Sequence, residues 1–359
     1  MTDLDDLEAI RTLDSLDVLP VVESFPEQVL EAWAAGGKVG ALPQGDGVDS
    51  VVIVGMGGSA AAGDIAQAIV EPRLPVPFRV IKSFGPLPEW IGRNTLVVGL
   101  SYSGNTAETL ASFEEAHGRG ARMVALCSGG LLAKRAVEYG VAHIAVRAGL
   151  QPRAALPYLV MPLLRILCRI GLVPDLGDDV DETIEVLSGV RDGCRSKISE
   201  DDNPAKTLAR RITGRVPVIY GGSGVGGAVA RRFKCDVNEY GKTPAFFNEL
   251  PELDHNEIEG WSLGTDPFAL VMLFTPSDDE LIRTRWALTR RLINASPEVI
   301  TEIEGEGGSR LAQALSLVLM LQLVAIYVGI GRGIDPGPTQ VLDRLKVELR
   351  ANGEEGAQG

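Results

Sequence analysis

The sequence predicts an α/β protein with two doubly wound parallel-sheet domains and flanking helices. Short apolar segments that end in glycine or hydroxyl residues, such as SVVIVG from Ser50, alternate with helical segments. A continuous apolar run is typical of a strand buried on both faces, as in a parallel sheet. The pattern VVIVGMGGSAAAGDIAQ is echoed by VPVIYGGSGVGGAVARR, and a chain of 359 residues exceeds the usual size of one domain.

The first half of the chain contains one complete series of these elements. Residues 1–45 have helical patterns, and we expect them to pack onto a later core. A first α/β domain then covers residues 46–195, with a helix at about 60–70 that ends before Pro72 and a helical region at 151–195. The predicted strands of this domain are SVVIVG, FRVIKS, TLVVGLS, RMVALCS and HIAVRA.

A second series follows the polar break SEDDNP at residues 199–204. It predicts a second α/β domain over residues 196–359 that ends in C-terminal helices. A helix is expected at about 278–294, between the second and third strands of the series. The predicted strands of this domain are VPVIYGG, FALVMLF and EVITEIEG.

Residues 311–330 form an almost wholly apolar segment that approaches the length of a membrane span. Gln313, Ser316 and Gln322 interrupt the segment, and basic flanking loops are lacking. We therefore expect a buried helix, in the core or at a subunit interface, and no membrane partner.

The charge balance limits the classes of partner. The formal net charge is −14, which argues against nucleic acid because a phosphate backbone requires stripes of Lys and Arg. The stretch MTDLDDLEAIRTLD is acidic and helical in pattern, and does not resemble a signal peptide. The four cysteines lie far apart without a C-x-x-C pair, which is typical of reduced thiols. These features predict a cytoplasmic protein.

Two loops in the first domain place hydroxyl groups where ligands of open α/β sheets bind, beyond the carboxyl ends of strands. The loop GMGGSA, which starts at Gly55, contains Ser59, and the loop SYSGNT contains Ser101, Ser103 and Thr106 directly before a helix. Hydroxyl and backbone N–H donors at a helix N-terminus favour an anion, so we predict a site for a phosphomonoester. Ordinary N-capping is the alternative, but a cap needs only one hydroxyl.

Other ligand sites have weaker support. Gly55, Gly57 and Ala60 match the dinucleotide pattern G-x-G-x-x-A, but the second strand ends in IKS, without the acid that would bind a ribose. The P-loop signature G-K-[ST] is absent. Three histidines without an H-E-x-x-H motif do not predict a zinc site. We therefore expect neither a metal nor a cofactor.

The motifs resemble those of a known superfamily. GMGGS followed by SYSGNTAET looks like the sugar isomerase (SIS) domain, and NEY with ELPELDHNEIEGW is similar to the bifunctional phosphoglucose/phosphomannose isomerase branch, over about residues 45–350. The resemblance implies flavodoxin-like domains and interconversion of glucose 6-phosphate or mannose 6-phosphate with fructose 6-phosphate through a cis-enediol. The family loop commonly reads GGSG, whereas Ala60 stands last here; if a glycine-only backbone angle is needed there, phosphate affinity falls modestly.

The resemblance also implies roles for individual residues. Glu239 is the base that moves a proton between C1 and C2, and His255 assists ring opening from the other subunit of a homodimer. Arg153 faces the enediolate, and Lys346 lies near the ring oxygen. At Thr339, glucose-specific isomerases carry a bulkier side chain, so a smaller residue leaves room for the C2 epimer. The residues implied to bind the substrate phosphate are Gly58, Ser59, Ser101, Ser103 and Thr106.

Two other functions compete with the isomerase. The first is a catalytically silent SIS protein that senses sugar phosphates, and the second is a nicotinamide-dependent dehydrogenase. Taken singly, Glu239, His255, Arg153 and Lys346 could be surface or structural residues, but four residues that fit one mechanism favour the enzyme. The remaining acids and histidines are expected to have structural roles or to support the site without contacting substrate. They are Glu249, Glu252, Asp254, Glu257, His117 and His143.

Overall fold

Two parallel sheets organise the chain. The computed structural model describes residues 2–38, 40–262, 264, 266–293 and 300–352. One compact unit comprises Glu27–Gly177 with Thr339–Gly359, and the other comprises Met1–Pro26 with Asp178–Pro338. After their sheets, we call them the five-stranded unit and the four-stranded unit.

The helices and strands alternate along most of the chain, as the sequence predicted. The strands are β1 (Ser50–Val54), β2 (Phe78–Ile81), β3 (Thr95–Leu100), β4 (Arg122–Cys127), β5 (Ala142–Ala145), β6 (Val216–Gly222), β7 (Phe246–Leu250), β8 (Phe268–Phe274) and β9 (Ile300–Glu304). The helices are α1 (Leu7–Leu13), α2 (Val18–Glu23), α3 (Phe25–Gly37), α4 (Gly57–Val70), α5 (Ala107–Gly118), α6 (Gly130–Glu138), α7 (Pro157–Arg169), α8 (Gly177–Cys194), α9 (Pro204–Ile212), α10 (Val225–Glu239), α11 (Glu280–Leu292), α12 (Arg310–Gly331) and α13 (Gln340–Ala351).

The five-stranded unit has a wholly parallel sheet in the order β2-β1-β3-β4-β5. This is the strand order of flavodoxin-like doubly wound folds. Every residue of β1 and β3 is buried, which explains why these central strands read as continuous apolar runs in the sequence. A cluster of buried side chains from the strands packs with Phe113 of α5 and Leu132 of α6 on one face of the sheet.

The four-stranded unit has a second parallel sheet, in the order β7-β6-β8-β9. The two sheets confirm the predicted fold class. Strand β7 was not predicted, because its sequence FFNEL is partly exposed at the sheet edge and lacks a long apolar run. Residues 298 and 299, at the start of the predicted strand EVITEIEG, lie outside the described residues.

Helix α12 is the apolar segment that could be mistaken for a membrane span. In the described part of the chain it is the one helix that is long and apolar enough to cross a membrane, and 94% of its most apolar window is buried within the protein. It packs against α9 and α10. The prediction of a buried helix is confirmed.

All four cysteines are free thiols, as predicted. Cys127 and Cys194 are buried, and Cys168 and Cys235 are partly buried. Burial raises the pKa of the Cys127 and Cys194 thiols to about 11. These two thiols are therefore protonated and unreactive near neutral pH.

The N-terminal segment is attached to the four-stranded unit through a buried lysine. The Lys206 side chain is fully buried, and its Nζ donates to Asp5 Oδ1 at 2.9 Å and to the carbonyl oxygens of Ser196 and Ile198 at 2.8 and 2.6 Å. A buried ammonium requires such acceptors, because an uncompensated charge is costly in the interior. The hydrogen bond from Lys206 also lowers the pKa of Asp5.

We expect Asp5→Ala to lower the free energy of unfolding by about 1–3 kcal/mol, because the buried ammonium loses its carboxylate acceptor. The lower end of this range is favoured because the Asp5 side chain is 45% exposed and water screens the pair. Urea unfolding, followed by the fluorescence of the four tryptophans, measures the change.

The matched background is Lys206→Met, which removes the charge and keeps an apolar stem. In that background Asp5→Ala should have almost no effect, and an equal effect in both backgrounds would contradict the pairing. The pKa of Asp5 is lowered on folding, so its contribution is present above the unfolded pKa and is lost as pH falls through the folded pKa. The difference between wild type and Asp5→Ala should accordingly vanish in strongly acidic solution.

Candidate functional site

Two loops leave the same edge of the five-stranded sheet side by side. Strands β1 and β3 pair in parallel, with Val54 opposite Gly99 near the end of both strands. Gly55 permits a close approach, since a Cβ there would lie 2.7 Å from the carbonyl oxygen of Leu100. The loops lead into α4 and α5, so two helix N-termini and the predicted hydroxyl groups share one edge of the sheet.

Hydrogen bonds link the hydroxyl groups of these two loops. The backbone N–H of Tyr102 donates to Ser59 Oγ at 3.1 Å, and Ser101 Oγ lies 2.9 Å from Thr106 Oγ1. Ser59 and Ser101 are buried, whereas Ser103 is exposed on the same loop as Ser101. Four of the residues predicted to bind phosphate are thus brought together at this edge.

These hydroxyl groups do not cap the helices that follow them. Met56 and Thr106 are the N-cap residues of α4 and α5, and neither makes a side-chain hydrogen bond to the helix amides. The first amides of a helix require partners from outside the helix, and the helix dipole attracts an anion there. Ordinary capping therefore does not explain the hydroxyl of Thr106.

The backbone conformation of the two loops explains which positions require glycine. Gly104 has a φ of 70°, and a Cβ there would lie 1.9 Å from the carbonyl oxygen of Gly129, so only glycine is accommodated. Gly58, the fifth residue predicted to bind phosphate, is partly buried in the first turn of α4. Ala60 lies in the same helix and is not among the described non-glycine residues with positive φ. Alanine at this position therefore causes no backbone strain.

Tyr102 connects the SYSGNT loop to the segment that carries Arg153. Its phenol donates to the carbonyl oxygen of Arg147 at 2.8 Å and accepts from the N–H of Leu150 at 2.9 Å. Burial raises the pKa of Tyr102, so the phenol remains neutral. Tyr102 was not predicted from the sequence, although its place between two serines of a strand-end loop was the available signal.

Arg153 lies in the same unit as the two loops. It is 6% exposed and belongs to a short 3₁₀ helix, Pro152–Ala154, which follows β5. This 3₁₀ helix packs against α4, the helix that contains Gly58 and Ser59. The segment of the predicted arginine is therefore attached to the two hydroxyl-bearing loops in two ways, through Tyr102 and through α4.

The end of β2 carries a base where a dinucleotide-binding fold has an acid. Lys82 follows β2, and its Nζ lies 2.5 Å from Asp64 Oδ2 on α4. A ribose requires a carboxylate acceptor at the corresponding position. This arrangement offers no such acceptor at the end of the strand.

Thr339 and Lys346 share one carboxylate on α13. Thr339 Oγ1 donates to Asp343 Oδ2 at 3.4 Å, and Lys346 Nζ lies 4.0 Å from Asp343 Oδ1. The Lys346 side chain is 56% exposed. Both predicted residues thus lie near the same carboxylate, Asp343 in the first turn of the helix.

Glu239 is the last residue of α10, and its neighbours in the NEY motif fix the end of that helix. Asn238 Nδ2 donates to the carbonyl oxygen of Thr243 at 2.8 Å, and the Tyr240 phenol accepts from Gln322 Nε2 of α12 at 3.1 Å. The carbonyl oxygen of Glu239 accepts a short hydrogen bond from Lys242 Nζ. The side chain of Glu239 is partly buried on a helix end that is held on three sides.

His255 is exposed on a segment whose neighbouring residues are anchored. It ends a short 3₁₀ helix, Glu252–His255, two residues after the fully buried Leu253. Within the described residues the imidazole has no hydrogen-bond or ring partner. Glu239 and His255 both belong to the four-stranded unit, and the other predicted site residues belong to the five-stranded unit.

The other two histidines have packing contacts. The His117 ring stacks on Tyr139, with centroids 3.7 Å apart, and His143 Nε2 lies 3.3 Å from Cys127 Sγ. Neither contact resembles a site for a ligand. His255 is thus the histidine with its ring available.

Comparisons with known proteins agree with these motifs. Residues 47–138 match the SIS domain, and residues 201–349 match the bacterial phospho-glucose isomerase C-terminal SIS domain. The chain is similar to the bifunctional phosphoglucose/phosphomannose isomerase of Caldicellulosiruptor bescii, with 36% identity over 91% of this chain and 97% of the relative. The enzyme of the same name from Aquifex aeolicus is 34% identical over 84% of this chain and 90% of the relative.

The fold is also shared with solved structures. A hypothetical protein from Thermus thermophilus superposes with a TM-score of 0.72, 17% sequence identity, and coverage of 96% of this chain and 94% of that one. At this identity the likeness concerns the fold alone. The sequence matches, which extend over both sheets and include the motifs described above, show that the chain belongs to the bifunctional phosphoglucose/phosphomannose isomerase family.

Proposed function

We propose that this protein is an aldose–ketose isomerase that interconverts glucose 6-phosphate and mannose 6-phosphate with fructose 6-phosphate through a cis-enediol. Membership in the family supports this reaction. The structural observation that carries the proposal is the 3.1 Å hydrogen bond from Tyr102 N–H to Ser59 Oγ, which joins two hydroxyl-bearing helix N-termini. A paired anion site of this kind suits the phosphate that all three hexoses share.

The phosphate is bound by local donors. The net charge of −14 repels an anion, so neutral hydroxyl and amide groups at the helix N-termini have to provide the attraction. Ser and Thr donate hydrogen bonds without adding charge, and bonds to a charged phosphate are stronger than bonds between neutral groups. The proposed phosphate ligands are Gly58, Ser59, Ser101, Ser103 and Thr106.

Ring opening precedes the transfer of hydrogen. The C1 hydroxyl loses its proton, the bond between C1 and the ring oxygen breaks, and the ring oxygen gains a proton, which gives the open-chain aldehyde. His255 exchanges the proton with the ring oxygen, because an imidazole changes charge near neutral pH. Lys346 stabilises negative charge that develops near this oxygen.

Glu239 then moves a proton between carbons. Its carboxylate removes the C2 proton of the open-chain aldose, and the electron pair of that C–H bond forms the C1=C2 bond of the enediolate while the C1 oxygen takes the negative charge. A proton then passes from the C2 hydroxyl to the C1 oxygen, the C2 carbonyl forms, and the same carboxyl group returns its proton to C1, which gives the ketose. Arg153 stabilises the enediolate oxygens, since a guanidinium is always charged and presents several donors in a fixed plane. Return of the proton to either face of C2 gives glucose or mannose configuration, and the small side chain of Thr339 leaves room for both.

The proposed active enzyme is a homodimer. The exposed imidazole of His255, without a partner among the described residues, supports its use in the active site of a second copy. The acidic composition supports a cytoplasmic location. The alternative of a catalytically silent sensor is disfavoured, since Glu239, His255, Arg153 and Lys346 are all present.

We expect Glu239→Gln to lower kcat by about 10²–10⁴-fold while substrate still binds, because the amide cannot accept the C2 proton. A coupled assay from fructose 6-phosphate, which follows glucose 6-phosphate and mannose 6-phosphate separately, measures the loss. Calorimetric titration measures binding. Glu280→Gln, the same change at an exposed acid of α11, is the matched control and should retain full activity. Full turnover in Glu239→Gln would end the assignment of the base.

The double variant Ser101→Ala with Ser103→Ala should raise KM by roughly tenfold or more, since hydrogen bonds to a charged phosphate contribute about 1.5–3 kcal/mol each. We expect kcat to change little, because the phosphate is bound equally in the ground and transition states. Ser188→Ala is the control, since that hydroxyl donates to a carbonyl within α8 at 2.8 Å. An unchanged KM would refute the phosphate site.

A further inference from the structure

The segment that carries His255 has little regular secondary structure of its own. It consists of two short 3₁₀ helices, Glu252–His255 and Glu257–Trp261, between β7 and β8. Short 3₁₀ turns have strained hydrogen bonds and are marginal alone. A defined position for His255 therefore depends on side chains that attach this segment to the rest of the four-stranded unit.

The first attachment is a carboxylate that bridges two paired strands. Glu257 Oε1 accepts from the Tyr220 phenol at 2.7 Å, and Glu257 Oε2 accepts from Asn248 Nδ2 at 2.6 Å. Tyr220 of β6 and Asn248 of β7 lie directly opposite each other in the sheet. Both carboxylate oxygens are thus used, and they fix Glu257 two residues after His255.

The second attachment continues through the same phenol. Trp261 Nε1 donates to Tyr220 Oη at 2.8 Å, and the two rings meet edge to face with centroids 6.3 Å apart. Tyr220 is fully buried and Trp261 is 6% exposed. Burial raises the pKa of the Tyr220 phenol far above its usual range, so the phenol keeps the proton that it donates. We call Trp261, Tyr220, Glu257 and Asn248 the Tyr220 relay.

A third attachment lies on the other side of His255. Asp254 Oδ1 accepts from Thr289 Oγ1 at 2.7 Å, and Asp254 Oδ2 accepts from Arg285 Nη1 at 3.1 Å, both on α11. Leu253 is fully buried in the same core cluster as Tyr220 and Trp261. His255 thus lies between two anchored carboxylates, and its own side chain is exposed.

The hydrogen bonds of the relay indicate that it fixes the orientation of the segment that carries His255. Tyr220 and Trp261 are buried, whereas Asn248 and Glu257 are partly buried. Burying polar groups costs desolvation and gains little net stability over well-packed apolar side chains. Hydrogen bonds have preferred angles, however, so they fix the orientation of the groups that they join, whereas apolar contacts do not. An exposed imidazole that must reach a ring oxygen benefits from such a restriction, because small misplacements are expensive in catalysis.

We infer that the Tyr220 relay positions His255 for ring opening, with Tyr220, Asn248, Glu257 and Trp261 acting through the backbone of residues 255–257 and not on the substrate. This inference rests on the proposed function, in which His255 exchanges the proton of the ring oxygen. The relay consequently affects the cyclic substrate and leaves the binding of open-chain ligands almost unchanged.

The test separates ring opening from isomerisation. Exchange spectroscopy by NMR measures the catalysed interconversion of the α and β anomers of glucose 6-phosphate, which requires ring opening only. We expect Tyr220→Phe to slow this exchange by about 10- to 100-fold, as expected for a displaced catalytic group. 6-Phosphogluconate is an open-chain ligand that needs no ring opening, so its inhibition constant should change less than about twofold. A general loss of structure would change both quantities.

Trp261→Phe is the second variant, and Trp286→Phe is its matched control. Both tryptophans belong to the same core cluster and are almost fully buried. Trp261 Nε1 donates to the relay, whereas Trp286 Nε1 has no hydrogen-bond partner among the described residues. Thermal unfolding of each variant checks that the fold persists. Slower anomer exchange in Trp261→Phe, with unchanged exchange in Trp286→Phe, supports the inference.

Two controls distinguish failure of this inference from failure of the proposed function. Wild type that isomerises none of the three hexose phosphates would refute the proposed function, and Glu239→Gln should block isomerisation while it leaves anomer exchange intact. If His255→Ala exchanges anomers at the wild-type rate, the inference is overturned. It is also overturned if His255→Ala is slow but both relay variants exchange anomers as fast as Trp286→Phe.

Discussion

The parallel pairing of β1 with β3 is the constraint on which the candidate phosphate site depends. Parallel neighbours end at the same edge of a sheet, so the loops that follow them emerge together. Gly55 lets those loops approach, and the amide of Tyr102 then reaches the hydroxyl of Ser59. Two helix N-termini meet at this edge, which gives an acidic chain a local attraction for an anion. The hydroxyl groups of the two loops lie close together because of this pairing.

The four-stranded unit repeats the strand order with a different use for its glycine loop. A Cβ on Gly221 would lie 2.2 Å from the backbone of Gly226, and one on Gly227 would lie 2.3 Å from the carboxyl carbon of Glu249. The loop after β6 therefore lets α10 lie directly against the strands. The same topology thus brings hydroxyl-bearing loops to one edge of the five-stranded sheet, the proposed phosphate site, and in the four-stranded unit it supports the helix that ends at Glu239.

Buried polar groups lie close to the two residues whose side-chain orientation the proposed reaction requires. Arg232 and Asp236 of α10 form an ion pair at 2.7 Å, with both side chains 3% exposed, one turn before Glu239. The Tyr220 relay, with two buried and two partly buried polar side chains, lies beside His255. Such groups are costly unless they are fully paired. Their presence near the two proposed proton-transfer residues fits a unit in which helix ends and short turns have to be held in fixed orientations.

The sequence by itself determined the parallel α/β class of both units, the buried helix α12, and the placing of Ser59, Ser101, Ser103 and Thr106 at adjacent strand ends. These features follow from local periodicity and from the rule that parallel strands share an edge. Tertiary structure alone decided that FFNEL forms strand β7, that Tyr102 holds the segment of Arg153, and that Glu257 and Trp261 meet at Tyr220. The side-chain contacts of Tyr102 and Tyr220 join residues 37 to 45 positions apart. Such pairs leave no periodic pattern in the sequence, because only the packing of the folded chain brings them within hydrogen-bonding distance.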